Sequence, residues 1–182
     1  GRTIVLEDDL IVSIDFLEYM NEALNRYEIN KNIWSITGYS PNIENINSSK
    51  DLYLSPRGSS WSWATWKDRW DIIDWKITDF NNIKNDKILQ DKFNLGGDDL
   101  YKMLELQMLG KIDSWAIRWV YNQFKVNMYT IYPTRSKITN NGFTDGKGTH
   151  NNIQNDKWLV EINHTKIDFT DLDIDENIIN KF

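Results

Sequence analysis

The sequence of 182 residues has no cysteine, only two histidines, no long apolar run and no concentration of positive charge. The missing cysteine removes disulfides, thiolate metal centres and cysteine nucleophiles together, and fits a reducing compartment such as the cytoplasm. No apolar stretch approaches the roughly 20 residues that cross a bilayer, and no charged-then-apolar leader precedes the first strand, so no transmembrane segment is expected. Lys and Arg number 21 against 27 acids, for a formal charge of −6, and they are scattered. Nucleic-acid backbones are held by clustered Lys and Arg, so no nucleic acid is expected as a partner. Internal repeats are absent. What the chain does hold is 40% hydrophobic residues, enough for one compact domain or part of a larger two-lobed one. Nine Trp, eight Tyr and seven Phe either fill a core or line a cleft for a flat, apolar-faced ligand such as a sugar ring.

The stretch "IVLEDDL" poses the main question. Ile4, Val5 and Leu6 read as a strand buried on both faces with neighbours on both sides, which predicts a preceding portion of the fold outside this sequence. It ends in Glu7, Asp8 and Asp9, three adjacent acids that repel one another and call for a neutralising partner. Ser13 and Asp15 then stand as N-cap and first-turn acid for a helix carrying Phe16, Leu17, Met20, Leu24 and Tyr27 at helical spacing. Ile33 to Thr37 predicts a strand closed by Gly38, "PNIENINSSKD" a surface loop, and "LYLSP" another strand. Five of the nine tryptophans fall between Trp61 and Trp75. Trp63, Trp66 and Trp70, at i, i+3 and i+7, predict one face of a helix beginning near Ser62. Lys76 to Asn94 is polar and charge-mixed, a weak helix or an excursion. "GGDDLYKMLELQMLG" predicts a helix with an acidic start at Asp98 and Asp99, an apolar stripe of Leu100, Met103, Leu104 and Met108, and Gly110 as its stop. Another helix follows with Asp113 or Ser114 as N-cap, and "MYTIYP" reads as a final core strand. "NNGFTDGKGTH" is too glycine-rich for regular structure, and the tail is acidic and weakly patterned. Alternating strands and helices indicate an α/β fold.

Each candidate site residue has an ordinary structural explanation beside its chemical one. Carboxylates at the carboxyl end of a buried strand lie where open α/β sheets put their ligands, and Mn²⁺ or Mg²⁺ takes oxygen ligands there, often shared with a diphosphate. The alternative is a turn whose acids face water. Asp113, ahead of a Trp-rich helix, reads as a general base whose pKa rises through desolvation, or as a plain N-cap. His150 ends the glycine-rich loop, where it can reach a metal or diphosphate or merely be solvated. Arg57 and Arg118 fit phosphate, a sugar carboxylate or surface ion pairs. The stripe of Trp63, Trp66 and Trp70 fits core packing before a sugar platform, whereas Trp61 is the better platform.

Taken in order, "IVLEDDLIVSIDFLEYMNEAL", "SITGY", "RGSSWSWATWKDRW", "GGDDLYKMLELQMLGKIDSWAIRW" and "SKITNNGFTDGKGTH" resemble bacterial glycosyltransferases of the GT-A fold. They are similar to sugar transferases of surface-polysaccharide gene clusters and, more distantly, to N-acetylglucosaminyltransferase I. The resemblance covers residues 3 to about 152. It implies a mixed sheet flanked by helices, the C-terminal part of a Rossmann-like fold, with residues 1–152 as the metal-motif and acceptor-side part and 153–182 as an acidic tail. It further implies a nucleotide-diphospho-sugar donor, a saccharide or lipid-linked saccharide acceptor, and Mn²⁺ (or Mg²⁺) as cofactor. On this resemblance Asp9 is the direct metal ligand with His150 beside it, and Glu7 and Asp8 contact ribose and sugar hydroxyls or metal-bound water. Asp113 takes the role of catalytic base, although Ser114 occupies a place where the distant relative can carry the acid. Gly97, Asp98 and Asp99 would contact the acceptor, with Trp61 stacking on a ring. The nucleotide-base pocket would precede Gly1, so these residues alone are expected to lack the donor-binding half and to be inactive. The activity implied is inverting sugar transfer in surface-polysaccharide synthesis, in the cytoplasm or peripherally at the inner membrane face.

Two other functions use the same residues. A non-catalytic carbohydrate-binding module would use the tryptophans and tolerate loss of Asp9. A glycoside hydrolase would need two carboxylates about 5 to 10 Å apart across a cleft, which three neighbours on one turn cannot provide, though Asp113 could partner one of them.

Overall fold

The computed structural model describes residues 1–43, 50–141, 160–169 and 172. A five-stranded mixed sheet runs in the order β1-β5-β3-β6-β4, built from β1 (Arg2–Val5), β3 (Ile33–Thr37), β4 (Leu52–Ser55), β5 (Trp63–Trp66) and β6 (Tyr129–Pro133). β3 and β6 are parallel neighbours, whereas β5 runs antiparallel to both β1 and β3, and β4 antiparallel to β6. It follows that β1, β3 and β6 all point one way. A separate ribbon pairs β2 (Leu10–Val12) with β7 (Ile138–Asn140). The protein is thus mixed α/β, as the alternation of elements predicts.

Helix α1 (Phe16–Tyr27) covers one face of the sheet, burying Phe16, Tyr19, Met20, Ala23, Leu24 and Tyr27. Those positions recur every three or four residues, which is why this stretch is helical and why one stripe is buried. Leu17, expected in that stripe, points outward instead. Residues 160–169, within the segment read as an acidic tail, add Ile167 and Phe169 to this same core. The opposite face is covered by α5 (Leu100–Met108) and α6 (Trp115–Lys125), together with the short α3 (Phe80–Lys84) and α4 (Lys87–Phe93). The polar excursion from Lys76 to Asn94 therefore folds as these two short helices and one 3₁₀ turn at Asn94–Gly96. Helix α5 stops at Gly110, which takes φ +68° while Lys111 N–H bonds Leu106 C=O and Gly110 N–H bonds Gln107 C=O. Those two bonds satisfy carbonyls that the helix end would orphan. Ser114, not Asp113, caps α6, its hydroxyl accepting from Ile117 N–H at 3.3 Å.

Three expectations are corrected. The stretch Trp63–Trp66 is a strand, β5, and only Lys67–Asp71 (α2) is helical. Side chains three apart on a strand point to opposite faces, so Trp63 packs in the core under α6 while Trp66 packs under α1 and donates from its indole N–H to Leu24 C=O at 3.1 Å. Cross-strand pairing on both sides decides this against the helical spacing. Second, β1 is an edge strand among the described residues, pairing with β5 alone, and Ile4 and Val5 are only half-buried. Third, Leu10–Val12, within the stretch read as an acidic turn, is a strand that pairs with Ile138–Asn140 in the ribbon β2·β7. Both strands are three residues long, too short for a periodic signal.

The aromatic load resolves mainly into core. Trp63 lies against Trp70 at 6.0 Å and nearly parallel, and against Trp115 and Trp119 at 5.3 and 5.0 Å, while Trp34 meets Trp119 at 4.7 Å. Each such pair contributes about 0.5–1.5 kcal/mol beyond the area it buries. Buried Arg69 stacks over Trp66 at 4.6 Å and donates to Glu28 and Asn30 carbonyls, fixing the turn from α1 into β3.

Candidate functional site

Because β1, β3 and β6 run in one direction, the segments that follow them emerge at one end of the sheet, where open α/β sheets hold ligands. Glu7 to Asp9 follow β1, Gly38 to Ile43 follow β3, and Thr134 to Ser136 follow β6. Trp61 and Ser62 lead into β5 at the same end. Backbone bonds knit this end together. Lys137 N–H donates to Gly38 C=O at 2.7 Å, Ser13 N–H to Lys137 C=O at 2.8 Å, and Asn141 N–H to Asp9 C=O at 2.9 Å.

The three acids form the turn between β1 and β2. Among the described residues none of their carboxylates has an ion pair or accepts a hydrogen bond. Glu7 and Asp8 are exposed, while Asp9 is half-buried and its Oδ1 is sealed from solvent without a partner. A buried carboxylate oxygen with no donor is costly, and the cost falls when a cation takes it up. Glu7 titrates above the ordinary carboxylate range, first because it is partly buried and then because Asp9 and Asp8 repel its charge. Among the described residues no three carboxylates or histidines converge into a self-sufficient metal cage. Mg²⁺-type ions usually bind through one or two carboxylates and keep water or substrate oxygens in the remaining positions, so the donor set at Asp9 and Glu7 fits such an ion. His150, the other expected ligand, lies outside the described residues.

A second group gathers around Arg57. Its guanidinium grips Asp99 with two bonds, Nη1 to Oδ1 at 2.6 Å and Nη2 to Oδ2 at 2.9 Å, and Nη1 also donates to Gly96 C=O at 3.3 Å. Burial alone would lower the Arg57 pKa, but the Asp99 carboxylate outweighs it and raises it. Gly97 makes this grip possible. It holds φ +141°, and a Cβ there would lie 2.3 Å from Arg57 Nη1. The Tyr132 hydroxyl bonds the Ser59 side chain, and both Tyr132 and Tyr39 feel the Arg57 charge. Tyr39 stands edge-on to Trp61 with ring centroids 4.8 Å apart. Its hydroxyl is buried without a partner, and desolvation pushes its pKa far up, so it stays a neutral donor.

Of the expected site residues, then, Glu7, Asp8 and Asp9 share one turn, Gly97 and Asp99 meet around Arg57, and Trp61 packs on Tyr39. Asp98 is exposed beside them and bonds to nothing among the described residues. Asp113 differs from its expected environment. Its side chain is 93% exposed and pairs with Arg118 at 3.2 Å, so the desolvated environment expected for it is missing. Arg57 and Arg118 are both engaged in ion pairs with carboxylates of this chain. Trp61 is half-buried and in T-shaped contact with Tyr39. Sequence reasoning missed Tyr39, whose only signal was an aromatic residue directly after the strand-ending Gly38.

No helix among the described residues is long and apolar enough to cross a membrane. The chain matches no protein-family model and no curated protein.

Proposed function

We propose that this chain is the metal-motif and acceptor-side part of a GT-A type glycosyltransferase, moving a sugar from a nucleotide-diphospho-sugar to an acceptor hydroxyl with inversion. The observation that carries the reading is the run of three carboxylates at the ligand end of the sheet, unmatched by any cation of the described chain, one with an orphaned buried oxygen. Asp9 and Glu7 are the residues that would hold a divalent ion. When bound there, such an ion would supply electrostatic stabilisation of the charge that builds on a departing diphosphate. Asp8 is left to contact sugar or ribose hydroxyls.

The chain's other residues act on the acceptor side. Arg57 fixes Asp99, and through it the turn that carries Asp98, next to the corner made by Tyr39 and Trp61. Tyr39, its hydroxyl sealed from solvent, supports Trp61, and the exposed part of Trp61 offers apolar surface to a ring. A general base must be free to take the attacking hydroxyl's proton. Asp98, uncommitted and on a fixed turn, suits that role better than Asp113, which is tied to Arg118. Surface-polysaccharide synthesis at the cytoplasmic side of a membrane is the setting that the family resemblance suggests.

The test is calorimetric titration of the chain with Mn²⁺, then with UDP and other nucleoside diphosphates, with and without Mn²⁺, in wild type and Asp9→Asn. Mn²⁺ binding that Asp9→Asn abolishes supports the reading. A chain that ignores Mn²⁺ and nucleotide yet binds saccharides is a carbohydrate-binding module, and the acidic turn is then incidental.

A further inference from the structure

At the same end of the sheet lies a second feature that the acidic turn and the Arg57 corner do not use, an open cleft of about 720 Å³. Its walls are the loop after β3 (residues 40–43), the loop after β6 (134–136) and the strap 160–163. The strap is fixed rather than draped. Asn163 N–H donates to Ser136 C=O at 2.7 Å, and Lys137 Nζ donates to Thr165 C=O. The cleft floor is also committed, since Ser136 Oγ bonds Ile138 C=O and Ser40 Oγ bonds the Tyr53 hydroxyl. The walls are therefore preformed, as ligand sites of this size usually are.

The residues that line the cleft are chemically specific. Arg135 and Glu161 are exposed, and neither has an ion pair or hydrogen bond among the described residues. Asn42 is likewise uncommitted, and the Asn163 side-chain nitrogen is free while its oxygen accepts from Thr165 N–H. Ile43 and Ile162 supply aliphatic surface between them. Among the described residues of the lining, one cation is balanced by one anion, which gives no net field for a phosphate, a polyanion or a basic peptide. Planar groups of both signs, two amides and aliphatic gaps instead match vicinal hydroxyls, each of which donates and accepts, and the C–H faces between them.

We propose that this cleft binds a neutral oligosaccharide, the non-reacting part of the acceptor chain, with Arg135, Glu161, Asn42 and Asn163 as its hydrogen-bonding residues. The assignment of that saccharide as acceptor rests on the transferase reading, whereas the cleft's affinity for it does not. Binding energy from a remote part of the substrate can orient the reacting hydroxyl at the acidic turn, which lies at the same end of the sheet.

The experiment is a glycan microarray carrying neutral, uronate-containing and sulfated oligosaccharides, probed with the whole chain in the absence of Mn²⁺ and nucleotide. Neutral glycans are expected to be captured. Arg135→Ala and Glu161→Gln, both at exposed positions and so tolerated by the fold, should each weaken capture about tenfold, the effect of losing one charged hydrogen bond. Asn42→Trp, which puts a bulky ring on the cleft wall, should weaken it further. Capture of acidic glycans alone would overturn the proposal, as would capture indifferent to all three variants or no capture at all. Because no metal or nucleotide is present, the cleft can fail here while the transferase reading stands in the titration above, and the reverse.

Discussion

Removing the Asp15 carboxylate is expected to destabilise the protein far more than loss of a surface ion pair. Lys137 is fully buried, and its Nζ meets Asp15 Oδ2 at 2.7 Å, with Asp15 only 15% exposed. Ser13 Oγ donates to the other oxygen of Asp15 at 2.6 Å. Asp15→Ala leaves an ammonium sealed in the interior with, among the described residues, only the Thr165 carbonyl to accept from it. Breaking a buried pair by deleting one partner costs about 3–5 kcal/mol. We therefore expect a loss of about 3–4 kcal/mol for Asp15→Ala. Lys137→Met leaves a carboxylate that keeps Ser13 and some water, so its cost is about 1–2 kcal/mol. The double variant should resemble Lys137→Met, giving a coupling of about 3–4 kcal/mol. Urea denaturation at pH 7, followed by tryptophan fluorescence, reads all four corners of the cycle. Burial would raise the Asp15 pKa, but the bonds from Lys137 and Ser13 outweigh it and hold it below the ordinary value. The stabilisation is thus present above the ordinary carboxylate range and is lost as pH falls through the folded value. A cost below about 1 kcal/mol for Asp15→Ala, or a coupling near zero, would refute the reasoning. The pair also ties α1 to the strap that walls the cleft, so Asp15→Ala should expose residues 160–169 to limited proteolysis before the rest unfolds.

Three further outcomes follow from the same geometry. Gly97→Ala must hold φ +141° and put a Cβ 2.3 Å from Arg57 Nη1, so it should cost about 1–3 kcal/mol in urea denaturation, and a change within about 0.5 kcal/mol would mean the turn relaxes freely. Glu7 is held above the ordinary carboxylate range, first by burial and then by Asp9 and Asp8, so the folded state binds its proton more tightly than the unfolded chain does. Metal-free stability should accordingly fall as pH rises from that range through the raised value, Mn²⁺ binding should release a proton, and both effects should vanish in Glu7→Gln; a pH-independent Mn²⁺ affinity would remove Glu7 from the metal site. Measured in the full-length protein, Asp98→Asn should lower transferase turnover by roughly 10²- to 10⁴-fold, while Asp113→Asn should stay within about threefold, and the opposite ranking would return the base role to Asp113.

Several elements were legible because a local rule governs them. α1 and α6 carry apolar stripes of helical period, α5 adds Gly110 as its stop, and β3, β4 and β6 are short apolar runs bounded by turn residues. Others were misread because a tertiary contact outweighs the local pattern. Trp63 and Trp66 have helical spacing with Trp70, yet β1 and β3 clasp them on both sides as a strand. Asp113 precedes a Trp-rich helix, yet the tryptophans turn inward and leave its carboxylate in water with Arg118.

By itself the sequence determined the α/β composition, the acidic turn after the first strand and the glycine-bearing GGDD turn, since each depends on residue type and near neighbours. Only the tertiary structure decided which of these stand together. The common direction of β1, β3 and β6 brings the acidic turn, Tyr39 and the cleft to one end of the sheet. The Arg57 grip on Asp99 spans 42 residues of chain, and the Lys137 pair with Asp15 spans 122. No local periodicity encodes such contacts, because they are selected by the burial of charges that only a completed core can enclose.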